Sequence, residues 1–135
     1  MSTPVKKIVA GFKSLLDADN SVKALLSGGI HCRIIEKPSY PYIKIGDCME
    51  DKFNTFGRDG KETTVFVFAY SEKDTDSELM DIVDAVDDVL DDVSLSISGW
   101  STVLVSWENT KYIESSDTRS RHAIIEYRVI TQKGS

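Results

Sequence analysis

The sequence predicts an α+β fold, a mostly antiparallel β-sheet of about four to five strands packed by two main α-helices. Apolar residues recur at helical spacing near the N-terminus and again over residues 79–93, whereas most of the remaining chain shows the two-residue period of strands. The predicted strands occur in adjacent runs instead of alternating strictly with helices, which favours antiparallel pairing with the helices on one face. Residues 1–135 have the length of one domain.

Three helical segments are predicted. Thr3 is a candidate N-cap and Pro4 suits a first helical turn. The apolar face of this first helix comprises Val5, Ile8, Val9, Phe12, Leu15 and Leu16. A short second turn over 22–26 ends at Gly28-Gly29, a pair suited to a left-handed C-cap. The third helix opens with a capping-box pattern, Thr75-Asp76-Ser77-Glu78, and continues with Leu79, Ile82, Val83, Val86, Val89, Leu90 and Val93.

Strands are predicted at 31–35, 40–46, 62–70, 102–107 and 121–131. Pro41 stands at the entrance of the second strand, where a missing N–H donor does least harm. In the third strand, Thr64, Phe66, Phe68 and Tyr70 share one face, and Thr63, Val65, Val67 and Ala69 share the other. Because both faces are fairly apolar, this strand is expected to lie in the middle of the sheet.

A long loop is predicted between the central strands, over residues 47–61, and a short C-terminal tail over 132–135. About fifteen residues without a pattern are uncommon in a compact domain and are usually functional or mobile. Large aromatic side chains in such a loop tend to mark a docking surface. The predicted interaction residues are Asp51, Lys52, Phe53, Asn54, Thr55, Phe56 and Arg58.

The net charge of −6, from 16 basic and 22 acidic residues, is distributed unevenly. Residues 72–92 hold ten acidic residues and one lysine, a net charge of −9 that leaves +3 for the rest of the chain. The third helix thus has an acidic face, consisting of Asp81, Asp84, Asp88 and Asp91. Asp91 and Asp92 lie in its last predicted turn, where the helix dipole disfavours anions. Helix stability does not explain them, so a surface role for this charge is predicted.

The sequence offers little for catalysis or cofactor binding. Neither a Walker motif nor a dinucleotide fingerprint occurs, and His31 and His122 lack a nucleophile context. A zinc site is disfavoured because His31 and Cys32 are strand neighbours that point to opposite faces. Acidic residues strung along one helix lack the tight loop that calcium ligation needs. Cys32 and Cys48 are expected to be reduced thiols, and neither a membrane span nor a signal peptide is predicted. No catalytic residue, metal or cofactor is therefore predicted.

The ordered set of motifs resembles the tail-completion, or tail-terminator, proteins of long-tailed bacteriophages. The opening amphipathic helix is followed by residues 24–30 (ALLSGGI), 40–46 (YPYIKIG) and 57–62 (GRDGKE). Residues 65–71 (VFVFAYS), 81–90 (DIVDAVDDVL) and 121–128 (RHAIIEYR) then match in order, so the resemblance covers nearly the whole chain. The density of aspartate on the third helix departs from the mixed charge that this family carries there.

The resemblance implies a structural virion protein without catalysis, located in the tail or neck and assembled in the host cytoplasm. It implies a homo-oligomeric ring, hexameric in this family, that caps the tail tube, stops polymerisation of the tube protein and meets the head–tail connector or stopper protein. DNA would pass through the channel without specific binding, and anionic walls would repel its phosphates. The acidic helix is accordingly predicted to face either this channel or a basic partner.

Three alternatives stay open at this stage. One is a head-side stopper or adaptor of the neck, which would also be small and oligomeric. Another is a small cytoplasmic enzyme or ligand-binding α+β domain, although a converging set of histidines, cysteines and carboxylates is missing from the sequence. The third is a nucleic-acid binder, which the overall charge disfavours, although Lys6, Lys7 and Lys13 share one helix.

Overall fold

The described residues form three helices and five strands in a computed structural model of the chain. The described residues are 4–32, 39–52, 60–73, 76–91, 93, 95, 97, 99–114 and 121–133. In chain order, the elements are α1 (Val5–Ala18), α2 (Asn20–Leu25), β1 (Ile30–His31), β2 (Tyr42–Lys52), β3 (Gly60–Ser71), α3 (Ser77–Leu90), β4 (Trp100–Glu114) and β5 (Arg121–Lys133).

The five strands form one sheet in the order β1-β2-β3-β5-β4. β1 pairs with β2 in parallel, and all other neighbours are antiparallel. β3 lies at the centre of the sheet and pairs along its whole length with β5, from Gly60 opposite Gln132 to Ser71 opposite Arg121. The predicted α+β class, the mostly antiparallel sheet and the central position of this strand are thus confirmed.

The core lies between the helices and one face of the sheet. Ile8, Phe12 and Leu16 of α1 are fully buried, as the predicted apolar stripe requires. The ring of Phe12 meets that of Tyr127 edge to face, with 5.8 Å between ring centres. The helix-facing strand residues alternate as predicted, and the buried ones include Val65, Val67, Ala69, Ala123, Ile125, Tyr127 and Val129.

The predicted boundaries of the loop at 47–61 are wrong. Asp47 to Lys52 continue β2, and Gly60 and Lys61 begin β3, so Lys52 lies opposite Lys61 in the ladder. The pairing register shifts between Ile45 and Cys48, next to Gly46, which has a φ of +128°. This irregularity displaces the alternation of side chains by one position, and the strand period is therefore hidden in the sequence. Residues 53–59 lie outside the described residues.

Other boundaries also differ from the predictions. β5 continues to Lys133, so the predicted tail from residue 132 starts too early. β4 is much longer than the predicted strand over 102–107, because it pairs with β5 as far as Glu114. β1 ends at His31, Cys32 lies beyond it, and residues 33–35 are outside the described part of the chain. The third helix begins at Ser77, after Asp76 as N-cap residue, and Thr75 is likewise outside the described part.

Candidate interaction surfaces

The acidic face of α3 is exposed to solvent. Asp81, Asp84, Asp88 and Asp91 are all exposed, while Leu79, Ile82, Val83, Val86 and Leu90 of the same helix are buried. Within the described part of the chain, Asp81, Asp84 and Asp88 form no salt bridge. Like charges three and four residues apart on a helix destabilise it slightly. This face is therefore a concentrated negative charge that the described residues do not neutralise.

Asp91 differs from the other three because it has a structural contact. α3 ends at Leu90, and Asp91 is the C-cap residue. Its carboxylate oxygen accepts a hydrogen bond of 3.0 Å from the backbone N–H of Trp107 in β4. The contact joins the end of α3 to β4, which gives Asp91 a local role that the argument from the helix dipole missed. Asp92 lies outside the described residues.

Asp87, on the flank of the acidic face, holds the hydroxyl of a buried tyrosine. The Tyr127 ring is fully buried, and its hydroxyl donates a hydrogen bond of 3.0 Å to the Asp87 carboxylate. Burial raises the pKa of Asp87 above its ordinary value, and the neighbouring Asp91, Asp88 and Asp84 raise it further, although the Tyr127 hydrogen bond acts in the opposite direction. This hydrogen bond joins α3 to β5, an interior strand of the sheet.

Substitutions of Asp87 should separate its role as an acceptor from its charge. Asp87→Ala removes the acceptor of the buried Tyr127 hydroxyl and is expected to cost about 1–3 kcal/mol of unfolding free energy. Asp87→Asn keeps an acceptor and is expected to be close to wild type at neutral pH. Urea unfolding at fixed protein concentration measures both variants, and equal losses for the two would contradict this role.

The pH dependence of the same pair has a definite sign. The folded state binds the Asp87 proton more tightly than the unfolded state, because the folded pKa is raised. Stability from this group is therefore fully present below the ordinary aspartate pKa and is lost as the pH rises through the raised folded value. Asp87→Asn removes this dependence, so its stability relative to wild type should improve from acidic to neutral pH.

The N-terminal end of α3 is attached to the sheet by polar contacts. Arg121 at the start of β5 donates to the Asp76 carboxylate at 2.5 Å. The Ser71 hydroxyl donates to Glu78 at 2.6 Å. Beside them lies an open, mainly polar cleft of about 500 Å³. Its lining consists of Ser27, Tyr40, Pro41, Glu72, Lys73 and Glu78.

The face of the sheet opposite the helices carries a row of aromatic rings that crosses the strands. Tyr42 stacks on Tyr70 with 4.6 Å between ring centres, and Tyr70 stacks on His122 at 5.6 Å. Burial raises the pKa of Tyr42 to about 12 and lowers the pKa of His122. The alternation of Phe66, Phe68 and Tyr70 indicated an apolar second face, but the sequence did not show that rings from three strands would align.

Strand β4 forms the outer edge of the sheet and exposes apolar side chains. Among the described residues, six large hydrophobic side chains are exposed, and four of them belong to β4: Leu104 (59%), Trp107 (45%), Tyr112 (40%) and Ile113 (39%). A strand was predicted at 102–107, but no local signal in the sequence indicated that it lies at the edge of the sheet.

The predicted interaction loop is only partly described. Asp51 and Lys52 are exposed at the end of β2, and the structure does not bring them to the acidic face. Phe53, Asn54, Thr55, Phe56 and Arg58 lie outside the described residues. Whether this segment binds a partner remains a prediction.

The candidate metal ligands do not gather into one site in the described part of the chain. His31 forms a hydrogen bond of 2.7 Å between its Nε2 and the carbonyl oxygen of Gly28. Cys32 and Cys48 are free and exposed. Across the described ranges, no group of three or more histidine, cysteine or acidic side chains is arranged to hold a metal ion. The helices described here are all too short or too polar to span a bilayer.

Comparison with known proteins defines the family. The sequence model of the family "Tail completion protein gp17" matches residues 13–132 of this chain. No curated protein sequence matches it. The fold is similar to that of a chain in a solved structure titled "Virion of native gene transfer agent (GTA) particle", with a TM-score of 0.83 and 16% identity, over 93% of this chain and 94% of that one.

The protein belongs to the tail completion protein gp17 family, and it is accordingly a structural protein of bacteriophage tails. This confirms the family resemblance drawn from the ordered motifs. At 16% identity, the virion chain shows a shared fold, and the α+β architecture is thereby found in a phage-like particle.

Proposed function

We propose that the protein caps the finished tail tube as a homo-oligomeric, hexameric ring, ends polymerisation of the tube protein and forms the tail side of the head–tail joint. The observation that carries this proposal is the family match over residues 13–132. The uncompensated charge of Asp81, Asp84 and Asp88 supports it, since a ring subunit needs surfaces directed at other chains. The proposed partners are further copies of this chain, the tail tube protein and the head–tail connector or stopper protein.

The acidic face of α3 has one of two places in this ring. On the channel wall, it would repel DNA phosphates and keep the DNA sliding without specific binding. On an outer surface, it would meet a basic patch of the connector or the tube protein and steer their association. Both placements use the charge and neither requires a cofactor or a catalytic group. The particle would assemble in the cytoplasm of the host.

Purified protein added to isolated tail tubes tests the proposal directly. We expect negative-stain images to show an added ring at one end of each tube, and the capped tubes to stop elongating when fresh tube protein is supplied. A phage lacking the protein should make tails of irregular length that fail to join heads, and the supplied protein should restore joining.

The same experiment distinguishes the proposed cap of the tail tube from the alternative role in the virion, a head-side stopper or adaptor of the neck. A head-side stopper would bind isolated heads at the portal vertex and leave tube length unchanged. Protein bound to heads and absent from tube ends would therefore overturn the proposed role. Tubes that continue to elongate in the presence of excess protein would also contradict it.

A further inference from the structure

The two longest stretches of unpaired strand edge lie on opposite sides of the sheet. Within the described residues, no strand pairs with the outer side of β4 over Trp100–Glu114, although the Trp107 amide donates to Asp91 of α3. β1 pairs only with Ile43 and Lys44 of β2, so no described strand covers the outer side of β2 from Ile45 to Lys52. Unpaired strand edges are ready templates for pairing with another chain, and natural proteins usually block them.

The exposed apolar side chains also concentrate on these two edges. Leu104 of β4 is 59% exposed and Met49 of β2 is 55% exposed, the highest values among the large hydrophobic residues described. The ladder places Met49 opposite Thr64, Thr64 opposite Arg128, and Arg128 opposite Ser106. Met49 and Ser106 therefore belong to the same cross-strand row, at opposite edges of the sheet. Ser106 is two residues from Leu104 in β4.

Met49 and Leu104 also lie on the same face of the sheet. Side chains directly opposite one another in a ladder share a face, and residues two apart in a strand do so too. Met49 shares the face of Thr64, and Leu104 shares the face of Ser106, opposite Arg128. This is the face away from the helices. The two most exposed apolar side chains thus occupy matching positions on opposite edges.

The strand directions of the two edges suit a repeated contact. Three successive antiparallel pairings separate β2 from β4, so these two strands run in opposite directions. If identical sheets are placed side by side around an axis along the strands, β4 of one subunit therefore meets β2 of the next in the antiparallel sense. Such a head-to-tail contact joins two different surfaces, and it closes into a ring when the rotation permits.

We propose that β4 of one subunit pairs with the Met49–Lys52 part of β2 in a second copy, with Met49 packed near Leu104 across the contact. This deepens the proposed ring and rests on it, since it names the two edges that subunits use. The Trp107 amide already donates to Asp91, so the pairing lies on the N-terminal side of Trp107, at the level of Met49 to Lys52. Repetition of the contact covers the exposed Met49 and Leu104 side chains in every subunit of a closed ring.

Site-directed crosslinking tests this contact with full-length protein. In a background of Cys32→Ser and Cys48→Ser, one variant carries Met49→Cys and a second carries Ser106→Cys. A short bifunctional maleimide is added to each variant alone and to their mixture, in solution at high concentration and on tail tubes. We expect crosslinked dimers only in the mixture, and a ladder of larger species when both cysteines are in one chain.

The controls make each outcome decisive. Met80→Cys replaces a side chain that is 48% exposed on α3, on the side of the sheet opposite Met49 and Ser106, and its mixture with Ser106→Cys should give no crosslink. Dimers from Ser106→Cys alone would show β4 paired with β4 and overturn the proposal. Absence of crosslinks in the Met49→Cys and Ser106→Cys mixture would also overturn it, whether or not rings appear on tubes. If wild-type rings still cap tubes, the proposed function survives this failure.

Discussion

Replacement of Asp81, Asp84 and Asp88 by lysine is expected to abolish head–tail joining while the domain stays folded. All three carboxylates are exposed, and among the described residues they form no salt bridge. If this face binds a cationic partner, reversing its charge costs several kcal/mol of binding free energy. This corresponds to a loss of at least about 100-fold in affinity. On a channel wall, the new lysines would instead bind DNA phosphates and retard passage of the DNA.

The measurement is infectious titre from a phage supplied with the variant, together with counts of joined particles by electron microscopy. Stability should not fall: the pairs within the triplet stay repulsive as lysines, but Glu78, Asp87 and Asp91 each lie three residues from a new lysine. Each of these three like-charge pairs becomes an opposite-charge pair, a gain of about 0.2–0.5 kcal/mol per pair. Asp91 is kept unchanged since its carboxylate binds the Trp107 amide. A triple asparagine variant is the matched control and should lose less function than the lysine variant. Normal titres from the folded lysine variant would refute a functional role for this face.

Gly28→Ala is expected to produce the largest loss of stability of any single methyl addition considered for this chain. A Cβ built on Gly28 would lie 1.7 Å from the Ser39 carbonyl oxygen and 2.9 Å from that of Pro41. The obstacles are backbone atoms, and the Gly28 amide itself donates to the Pro41 oxygen at 2.8 Å. The chain entering β2 must therefore move, which we expect to cost about 3 kcal/mol or more. This is a large share of the roughly 5–15 kcal/mol that stabilises a typical domain.

Gly11→Ala is the matched control for this substitution. Gly11 lies inside α1, and the added methyl would meet only the end of the Leu95 side chain, at 3.3 Å from Cδ2. Alanine is better than glycine inside a helix by about 0.5–1 kcal/mol, so this variant should match or slightly exceed the wild type. Thermal or urea unfolding compares the two variants. Equal stability of Gly28→Ala and wild type would show that the close approach between the α2–β1 turn and the chain entering β2 is not required.

Local periodicity was sufficient to predict most elements of this fold. The stripe of Ile8, Phe12 and Leu16 is the predicted buried side of α1. For β3 the strand period predicted two alternating faces and a central position, and the structure shows that Val65, Val67 and Ala69 are on the face buried against the helices. The prediction failed where the ladder is irregular. Next to Gly46 the register shifts, and the second half of β2 was therefore mistaken for part of a long loop.

The candidate surfaces were only partly predictable. The exposure of Asp81, Asp84 and Asp88 followed from the amphipathic pattern of α3, because the opposite side had to be buried. The contact between Asp91 and Trp107 joins residues 16 positions apart, and that between Asp87 and Tyr127 joins residues 40 apart. Neither leaves a local signal in the sequence. The functional role of the acidic face and of the predicted loop residues remains a prediction.

The sequence by itself determined the α+β class, the family and the concentration of charge on one helix, because these depend on composition and on short-range order. Only the tertiary structure decided which strands lie at the edges of the sheet. The order β1-β2-β3-β5-β4 separates β4 from β3, although β4 precedes β5 in the chain. Strand order depends on pairing between distant segments, and it is this pairing that leaves Leu104 and Met49 exposed on opposite sides.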